Sequence, residues 1–344
     1  MKTTINTAFY NQIIDLLQAA RNSVVLAVNQ TMVLTYFKIG ERIVKEEQNG
    51  KDRAEYGKSL LLGLSNVLTK EFGKGFSVTN IQQMRNFYLA YEKQQTLSVK
   101  SKKAIKQTVS VIFNLSWSHY LILVRIENED ERKFYEIEAS KNNWSVRELD
   151  RQVNSSLYER LCISKEKEEI VKLSKNGQII ENASDLIKDP YVLEFLNLPE
   201  LKSYSETELE EELINKLEHF LLELGKGFTF VGRQVRFTFD EEHFRVDLVF
   251  YNRMLKCFVL IDLKIGKLKH QDLGQMQMYV NYYDRFVKLD DENKTIGIVL
   301  CKDKKDTMVE ITLPENNEQI FASKYELILP SKKELQKLIE SKNN

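Results

Sequence analysis

The chain has 344 residues, with 50 lysines and arginines against 50 aspartates and glutamates, and 42% of its residues are hydrophobic. A formal charge of zero excludes a protein that coats nucleic acid through bulk positive charge, and this hydrophobic content excludes a wholly disordered chain. The length predicts two domains of ordinary size. We expect neither a membrane span nor a signal peptide, because no apolar run reaches ~18 residues. Three widely spaced cysteines argue against a disulfide framework, so the reducing cytoplasm is the expected compartment.

The zero total charge hides opposite charges on different segments. Residues 51–107 carry eleven Lys and Arg against four Asp and Glu, a net charge of +7. Residues 201–223 carry two against seven, a net charge of −5. The basic segment predicts contact with phosphates, and the acidic segment is typical of a helix that leads into a carboxylate and metal site.

Residues up to about 170 have the apolar periodicity of helices, and we expect an all-helical domain over 1–170. Apolar residues of the first helix recur at three- and four-residue steps, which predicts one buried stripe. The stripe comprises Ile13, Leu16, Leu17, Ala20, Val24, Ala27 and Val28.

Two further predicted helices, over about 56–72 and 80–92, are joined by a short glycine-containing turn at 73–75. This pattern fits a helix-turn-helix, in which the second helix reads base edges. Lys74 and Arg85 are its candidate nucleic-acid contacts. An ordinary solvated helical hairpin would have the same pattern.

A second, weaker helix-turn-helix candidate lies within 116–161 and carries Arg147 and Arg151 as candidate nucleic-acid contacts. Charged residues and two prolines then predict a connector over 171–204. We expect a second domain over 205–344.

The pattern changes after residue 205, where a predicted helix over 206–224 is followed by short β-rich runs. The predicted order is α-β-β-β-α-β, an α/β core in a chain that is α+β overall. Strands are predicted over 228–239, 243–251, 257–263, 295–301, 308–312 and 325–329, with a helix over 269–286.

Two aspartates and a lysine interrupt these apolar strands. Asp247 alternates with apolar residues, and Asp262 and Lys264 share one face of the next strand within an almost continuous apolar run. Ionisable residues in such a run are costly unless they are paired or bind an ion. Adjacent antiparallel strands can bring both carboxylates to one hard divalent cation, Mg²⁺ or Mn²⁺, beside the lysine. That arrangement predicts phosphodiester hydrolysis by a metal-activated water.

The pattern resembles the PD-(D/E)XK nuclease superfamily, and longer stretches resemble its YhcG-like family, in which a helical N-terminal domain precedes the nuclease core. Resembling stretches include GERIVKEEQNGKDRAEYGKSL, NNWSVRELDRQV, FRVDLVFYNRMLKCFVLIDLKIGKL and TIGIVLCKDKKD. Val246 stands where the motif's name calls for proline. The resemblance implies a restriction-endonuclease-like core of order α-β-β-β-α-β.

The resemblance also implies roles for individual residues. Asp247 and Asp262 match the metal ligands, the Leu263 carbonyl is a further candidate ligand, and Lys264 matches the motif lysine. The superfamily often adds a glutamate from the preceding helix, for which Glu210 is our choice because apolar residues follow it on its own helix face. A glutamate favoured only by the helix dipole is the alternative.

Two more residues have both a functional and a structural interpretation. Gln275 is a candidate for contact with the nucleophile or the substrate backbone, or else a satisfied core amide. Arg233 lies in a GRQ segment that matches the family, where a phosphate contact and a structural role at a strand edge are both compatible with the pattern.

These patterns favour a metal-dependent nuclease acting on DNA, an endonuclease rather than an exonuclease, whose basic helical region binds nucleic acid or a partner. The alternative is a catalytically silent nucleic-acid-binding or assembly protein of a DNA-processing or defence system. No membrane association is expected, and a homo-oligomer or a protein partner is compatible with either hypothesis.

Overall fold

The computed structural model describes residues 7–49, 53–100, 113–163, 167–196, 198, 204–328 and 331–342. Contacts between Cα atoms divide the chain into two units, Met1–Asp150 and Arg151–Asn344. Among the described helices, none combines the length and the apolarity that a membrane crossing requires.

The described part of the first unit is helical. Its elements are α1 (Thr7–Asn49), α2 (Arg53–Phe72), α3 (Val78–Lys100), α4 (Trp117–Leu123), α5 (Glu129–Lys141) and the start of α6 (Val146–Asn154). Aromatic rings from α1, α3 and α4 meet at its centre. The centroids of the Phe37, Phe113 and Tyr120 rings lie 5.7, 5.1 and 5.0 Å from that of Phe87.

The prediction of a buried stripe along the first half of α1 is wrong. Its large side chains are 41–66% exposed, and they are Ile13, Leu16, Leu17, Val24 and Val28. Val33 and Phe37, further along the same helix, are buried. Because α1 has 43 residues and α3 only 23, the N-terminal half of α1 extends beyond the helices that cover its C-terminal half.

The second unit contains a six-stranded mixed sheet in its described residues. The strands are β1 (Tyr191–Val192), β2 (Phe228–Phe239), β3 (Glu242–Asn252), β4 (Cys257–Lys267), β5 (Ile296–Asp303) and β6 (Ile320–Glu326). The helices are α7 (Leu157–Ile163), α8 (Lys167–Asn176), α9 (Glu206–Asn215), α10 (Leu217–Leu224), α11 (His270–Phe286), α12 (Asp306–Thr312) and α13 (Lys332–Lys342).

The strand order is β1-β6-β5-β4-β3-β2, in which β1, β6, β5 and β4 are parallel neighbours and β3 and β2 join antiparallel. Apolar side chains bury both faces. Leu213 of α9 packs in the cluster of Ile261 on one face, and Met276 of α11 packs in the cluster of Val299 on the other. The predicted fold class, α+β with an α-β-β-β-α-β core, is confirmed.

A buried ion pair joins α7 to α10 within the second unit. The side chains of Arg160 and Glu223 are 0% and 2% exposed, and Arg160 Nη2 donates to Glu223 Oε2 at 3.2 Å. The backbone amide of Val192 in β1 donates to Glu223 Oε1 at 2.9 Å. Burial opposes ionisation of Glu223, but the charges of Arg160 and Lys188 hold its pKa below the ordinary value. Glu223 is therefore a carboxylate that depends on its partners.

The same contacts group residues from Arg151 onward with the sheet. β1 contributes to this grouping, because it pairs with β6 in the register Tyr191↔Tyr325. The contact division therefore comes earlier in the chain than the expected end of the helical domain. The predicted limits of 1–170, 171–204 and 205–344 stay a prediction.

Three local predictions differ from the structure. The helix expected over 206–224 is interrupted at Lys216, whose Nζ donates to the carbonyl of Phe195 at 2.8 Å. The strand expected over 308–312 is wrong, because these residues belong to α12 and a five-residue alternation is too short to separate strand from helix. The last strand, β6, begins and ends earlier than the expected 325–329.

α1 and α3 approach most closely at Gly40, where an added Cβ would lie 2.2 Å from the carbonyl oxygen of Met84. We expect Gly40→Ala to lower the free energy of unfolding by about 1–3 kcal/mol, because the methyl group forces the two helices apart. Gly63→Ala in α2 is the matched control: its Cβ meets no atom within 4 Å, and alanine there should gain about 0.5–1 kcal/mol in helix propensity. Urea unfolding followed by circular dichroism measures both variants. A Gly40→Ala protein as stable as wild type would contradict the close approach.

Candidate active site

The two motif aspartates lie on adjacent antiparallel strands, Asp247 on β3 and Asp262 on β4. The described pairing of these strands ends at Leu248↔Ile261. Beyond that pair, a side chain takes over from the backbone, since Asp247 Oδ2 accepts a hydrogen bond from the Leu263 amide at 2.8 Å. The carboxylates therefore stand where the two strands separate.

Asp262 is 3% exposed. Its Oδ2 accepts no hydrogen bond from the described residues, although Lys264 Nζ lies 2.7 Å from it. Burial, and then the charge of Asp247, raise the pKa of Asp262 to about 7 against the opposing effect of Lys264. Burial alone would lower the pKa of Lys264, but the charge of Asp262 outweighs it and the pKa is raised. The site thus holds a charged lysine beside a carboxyl that an added cation would ionise fully.

Gln234 links Glu210 to Asp247. Its Nε2 donates to Glu210 Oε2 and, at 3.0 Å, to Asp247 Oδ1. Gln234 has a φ of 48°, in the left-handed region, which an L-residue adopts at a cost. Burial raises the pKa of Glu210 by more than the hydrogen bond from Gln234 lowers it. The structure therefore brings the predicted Glu210 into the cluster through an amide.

Gln275 and Tyr279 of α11 approach the cluster from the other side of β4. Gln275 Nε2 donates to the Tyr279 hydroxyl. Burial, followed by the negative charge of Asp262, raises the pKa of Tyr279 to about 12, so its hydroxyl stays protonated at neutral pH. A contact of Gln275 with the nucleophile stays a prediction.

The predicted nucleic-acid contacts differ in exposure and in their partners. Three are exposed, and they are Lys74, Arg147 and Arg233. The other two have partners inside their own units. Arg85 Nε lies 2.6 Å from Glu47 Oε2, and the Arg151 guanidinium lies over the Phe195 ring at 5.0 Å. The exposed three are thus better placed to contact a ligand.

Two arginines of the β2–β3 hairpin were not expected from the sequence. Arg236 and Arg245 are directly opposite each other in the strand register, and both are exposed. Arg245 precedes Asp247 by two residues, so the two share a face of β3. Like charges directly opposite destabilise a sheet, and an anion bound between them would offset the repulsion. The alternation of arginine with Asp247 in FRVD is the sequence signal that could have identified them.

The side chains present fit a hard divalent cation. Asp262 Oδ2 is a buried oxygen without a hydrogen-bond donor among the described residues, and Asp247 supplies a second carboxylate. Within the described part of the chain, no three His, Cys, Asp or Glu side chains form a ready metal cage. A cation bound here would therefore take two protein carboxylates and complete its shell with water and substrate oxygens, as Mg²⁺ commonly does.

Two family models match the chain, the YhcG PDDEXK nuclease domain over residues 184–340 and the DUF1016 N-terminal domain over residues 12–160. The chain is also 41% identical over 351 residues to "Putative nuclease YhcG" of Escherichia coli (strain K12), covering 96% of this chain and 93% of that protein. The resemblance inferred from the sequence is confirmed over both halves of the chain.

Solved structures match with less similarity. A repair endonuclease from Pyrococcus abyssi is 16% identical with a TM-score of 0.25, covering 38% of this chain and 50% of its own. The EndoMS–dsDNA2 complex is 16% identical with a TM-score of 0.26, covering 39% and 51%. Similarity at these TM-scores carries no argument about this chain.

Asp262→Asn should stabilise the metal-free protein at pH 8 and leave its stability unchanged at pH 5. The folded-state pKa of about 7 lies above the ordinary value, so the wild type loses stability as the pH rises through about 7. Asparagine does not titrate and so does not incur this loss. Thermal unfolding in EDTA across pH 5–8 measures the difference. A difference in melting temperature that is independent of pH would contradict the raised pKa.

Proposed function

The chain belongs to the YhcG family of PD-(D/E)XK nucleases, and on that premise we propose that it is a metal-dependent endonuclease that hydrolyses phosphodiester bonds in DNA. The observation that carries the proposal is Asp262, a buried carboxyl with an unsatisfied oxygen, 2.7 Å from Lys264 and next to Asp247. Such a group is costly in a purely structural role, and a cation would turn the cost into a binding site. The cytoplasm is the proposed compartment.

Asp247 and Asp262 are the proposed ligands of Mg²⁺ or Mn²⁺, with the Leu263 carbonyl as a further ligand. When bound, the cation would supply a water of lowered pKa and neutralise charge on the scissile phosphate. Gln234 holds Asp247 in orientation through its hydrogen bond. The amide of Leu263 fixes the second oxygen of Asp247, so the carboxylate is positioned from two directions before metal arrives.

Lys264 is the proposed electrophilic group. Its ammonium is held by Asp262 and lies 3.8 Å from Glu206, so it is anchored by carboxylates rather than free to rotate. A fixed positive charge can orient the attacking water and stabilise the negative charge that develops on the phosphoryl oxygens. Gln275 would act through Tyr279, whose protonated hydroxyl it holds in place.

The helical unit is proposed to bind nucleic acid or a protein partner. Lys74 and Arg147 are exposed and could contact phosphates. In the second unit, Arg233, Arg236 and Arg245 are exposed on the hairpin that also carries Asp247. DNA lying along this hairpin would meet the arginines on its way to the carboxylates.

Asp247→Asn should lower the rate of DNA cleavage in Mg²⁺ or Mn²⁺ by about 100-fold or more, because a lost metal ligand removes several kcal/mol of transition-state stabilisation. The control is Asp240→Asn, an exposed residue of the hairpin turn with a φ of 50° that asparagine tolerates. Cleavage of linear, single-stranded and branched DNA is measured for both variants, together with the shift in melting temperature caused by Mn²⁺. Equal cleavage by wild type and Asp247→Asn would refute the catalytic assignment. DNA binding without cleavage or a Mn²⁺ shift in wild type would support the silent alternative.

The double variant Arg236→Gln/Arg245→Gln should weaken DNA binding and reduce the slope of log K against log salt by about 2, because two phosphate contacts are lost. Arg253→Gln is the matched control, since Arg253 is exposed beyond the far end of β3. Fluorescence anisotropy at several salt concentrations in Ca²⁺ or EDTA gives the slope. An unchanged slope would remove the hairpin from the DNA-binding surface.

A further inference from the structure

α1 has two apolar faces on opposite sides. At 100° per residue, Val24 and Val33 are separated by about 180° around the helix axis, and Leu17 and Val33 by about 160°. Val33 is 0% exposed, whereas Val24 and Leu17 are 63% and 55% exposed. The face that packs in the first unit is therefore on the other side of the helix from the exposed apolar face. The helices that cover Val33 do not lie along the face of Val24.

The exposed face has the spacing of a coiled-coil seam. Its residues follow alternating steps of three and four, and they are Tyr10, Ile13, Leu17, Ala20, Val24 and Ala27. These are the a and d positions of successive heptads, a pattern that packs against another helix by knobs-into-holes contacts. The required partner is therefore helical.

The seam fits a second copy of itself in antiparallel orientation. A two-fold axis between residues 18 and 19 sets Leu17 opposite Ala20 of the other copy. It also sets Ile13 opposite Val24, and Tyr10 opposite Ala27. Each layer then joins an a position to a d position and pairs a larger side chain with a smaller one, so the layers have similar volumes. A parallel pair would stack the large side chains on each other and the alanines on each other.

The exposed area approaches what a dimer needs. Six side chains of the seam and its flanks are 41–66% exposed, and they are Ile13, Ile14, Leu16, Leu17, Val24 and Val28. At roughly 150–200 Å² for each fully exposed side chain they offer about 600 Å² per copy, against the ~800 Å² per partner of a standard interface. The remaining seam residues and the polar flanks add to this area.

The polar side of the same segment argues against a lipid surface. Between Thr7 and Phe37 the charged residues are Asp15 and Arg21, one of each sign. Helices that lie on anionic membranes carry lysines and arginines on the polar face. A nearly uncharged helix with a heptad seam is instead suited to a protein partner.

We propose that the N-terminal half of α1 is a homodimerisation element, which pairs two copies of this chain through an antiparallel helical seam centred between residues 18 and 19. The proposal does not depend on nuclease activity. It makes the interface isologous, with the same residues contributed by both copies.

Sedimentation equilibrium of the full chain tests the proposal, with an expected mass of twice 40.4 kDa for wild type. Leu17→Lys/Val24→Lys should be monomeric at the same concentration and keep its helical circular dichroism, because both side chains are already exposed. The control Asn11→Lys/Ala19→Lys adds the same charge on the opposite side of the helix and should remain dimeric. A monomeric wild type, or a dimer that both double variants affect equally, would overturn the proposal. Wild type that is monomeric and sediments with vesicles of phosphatidylserine and phosphatidylcholine would assign the face to membranes instead.

Two variants at one position test the antiparallel orientation. In that orientation position 14 of one copy flanks Arg21 of the other, so Ile14→Glu should dimerise about tenfold more tightly than Ile14→Lys. Both variants lose the same apolar contact, and only the sign of the new charge differs. Equal dissociation constants, or tighter association of Ile14→Lys, would overturn the antiparallel seam.

Discussion

A carboxyl group buried in the middle of a sheet is the constraint around which the nuclease unit is organised. Asp262 lies on β4, one of the strands packed by helices on both faces, and is 3% exposed. Ionising it there is costly, so the surrounding groups must either neutralise it or provide a cation. Lys264 provides one positive charge from the same strand. The separation of β3 from β4 leaves Asp247 beside it, held by an amide hydrogen bond in place of strand pairing. A structural sheet would have continued the ladder through these positions.

Much of the nuclease core was predictable because its signals are local. Strand alternation, glycine after α10 and the apolar periodicity of α11 all lie within short windows, and the order α-β-β-β-α-β follows from them. The failures depend on distant residues. The break at Lys216 requires the carbonyl of Phe195. The exposure of the first half of α1 depends on the lengths of α2 and α3, which no pattern within α1 records.

The same distinction applies to the candidate site. Asp247, Asp262 and Lys264 could be identified because ionisable residues within an apolar run are conspicuous in sequence. The bridge through Gln234 could not, since it depends on a left-handed backbone and on a glutamate 24 residues earlier. Arg85 was identified as a candidate base-reading residue, yet it lies against Glu47, 38 residues away along the chain. Residue type and spacing reveal which groups are available, whereas their partners are set by tertiary packing.

The buried pair of Arg160 and Glu223 separates the unit of homology from the unit of folding. The nuclease family model begins at residue 184, and the pattern change in sequence comes near 205. A fragment starting at either point would retain Glu223 inside the protein and discard the guanidinium that compensates it. Removing one partner of a buried ion pair costs about 3–5 kcal/mol, a large part of the stability of a typical domain. A catalytic domain isolated by sequence similarity alone would thus be a poor substrate for biophysical work, whereas a cut made ahead of α7 would preserve its electrostatic balance.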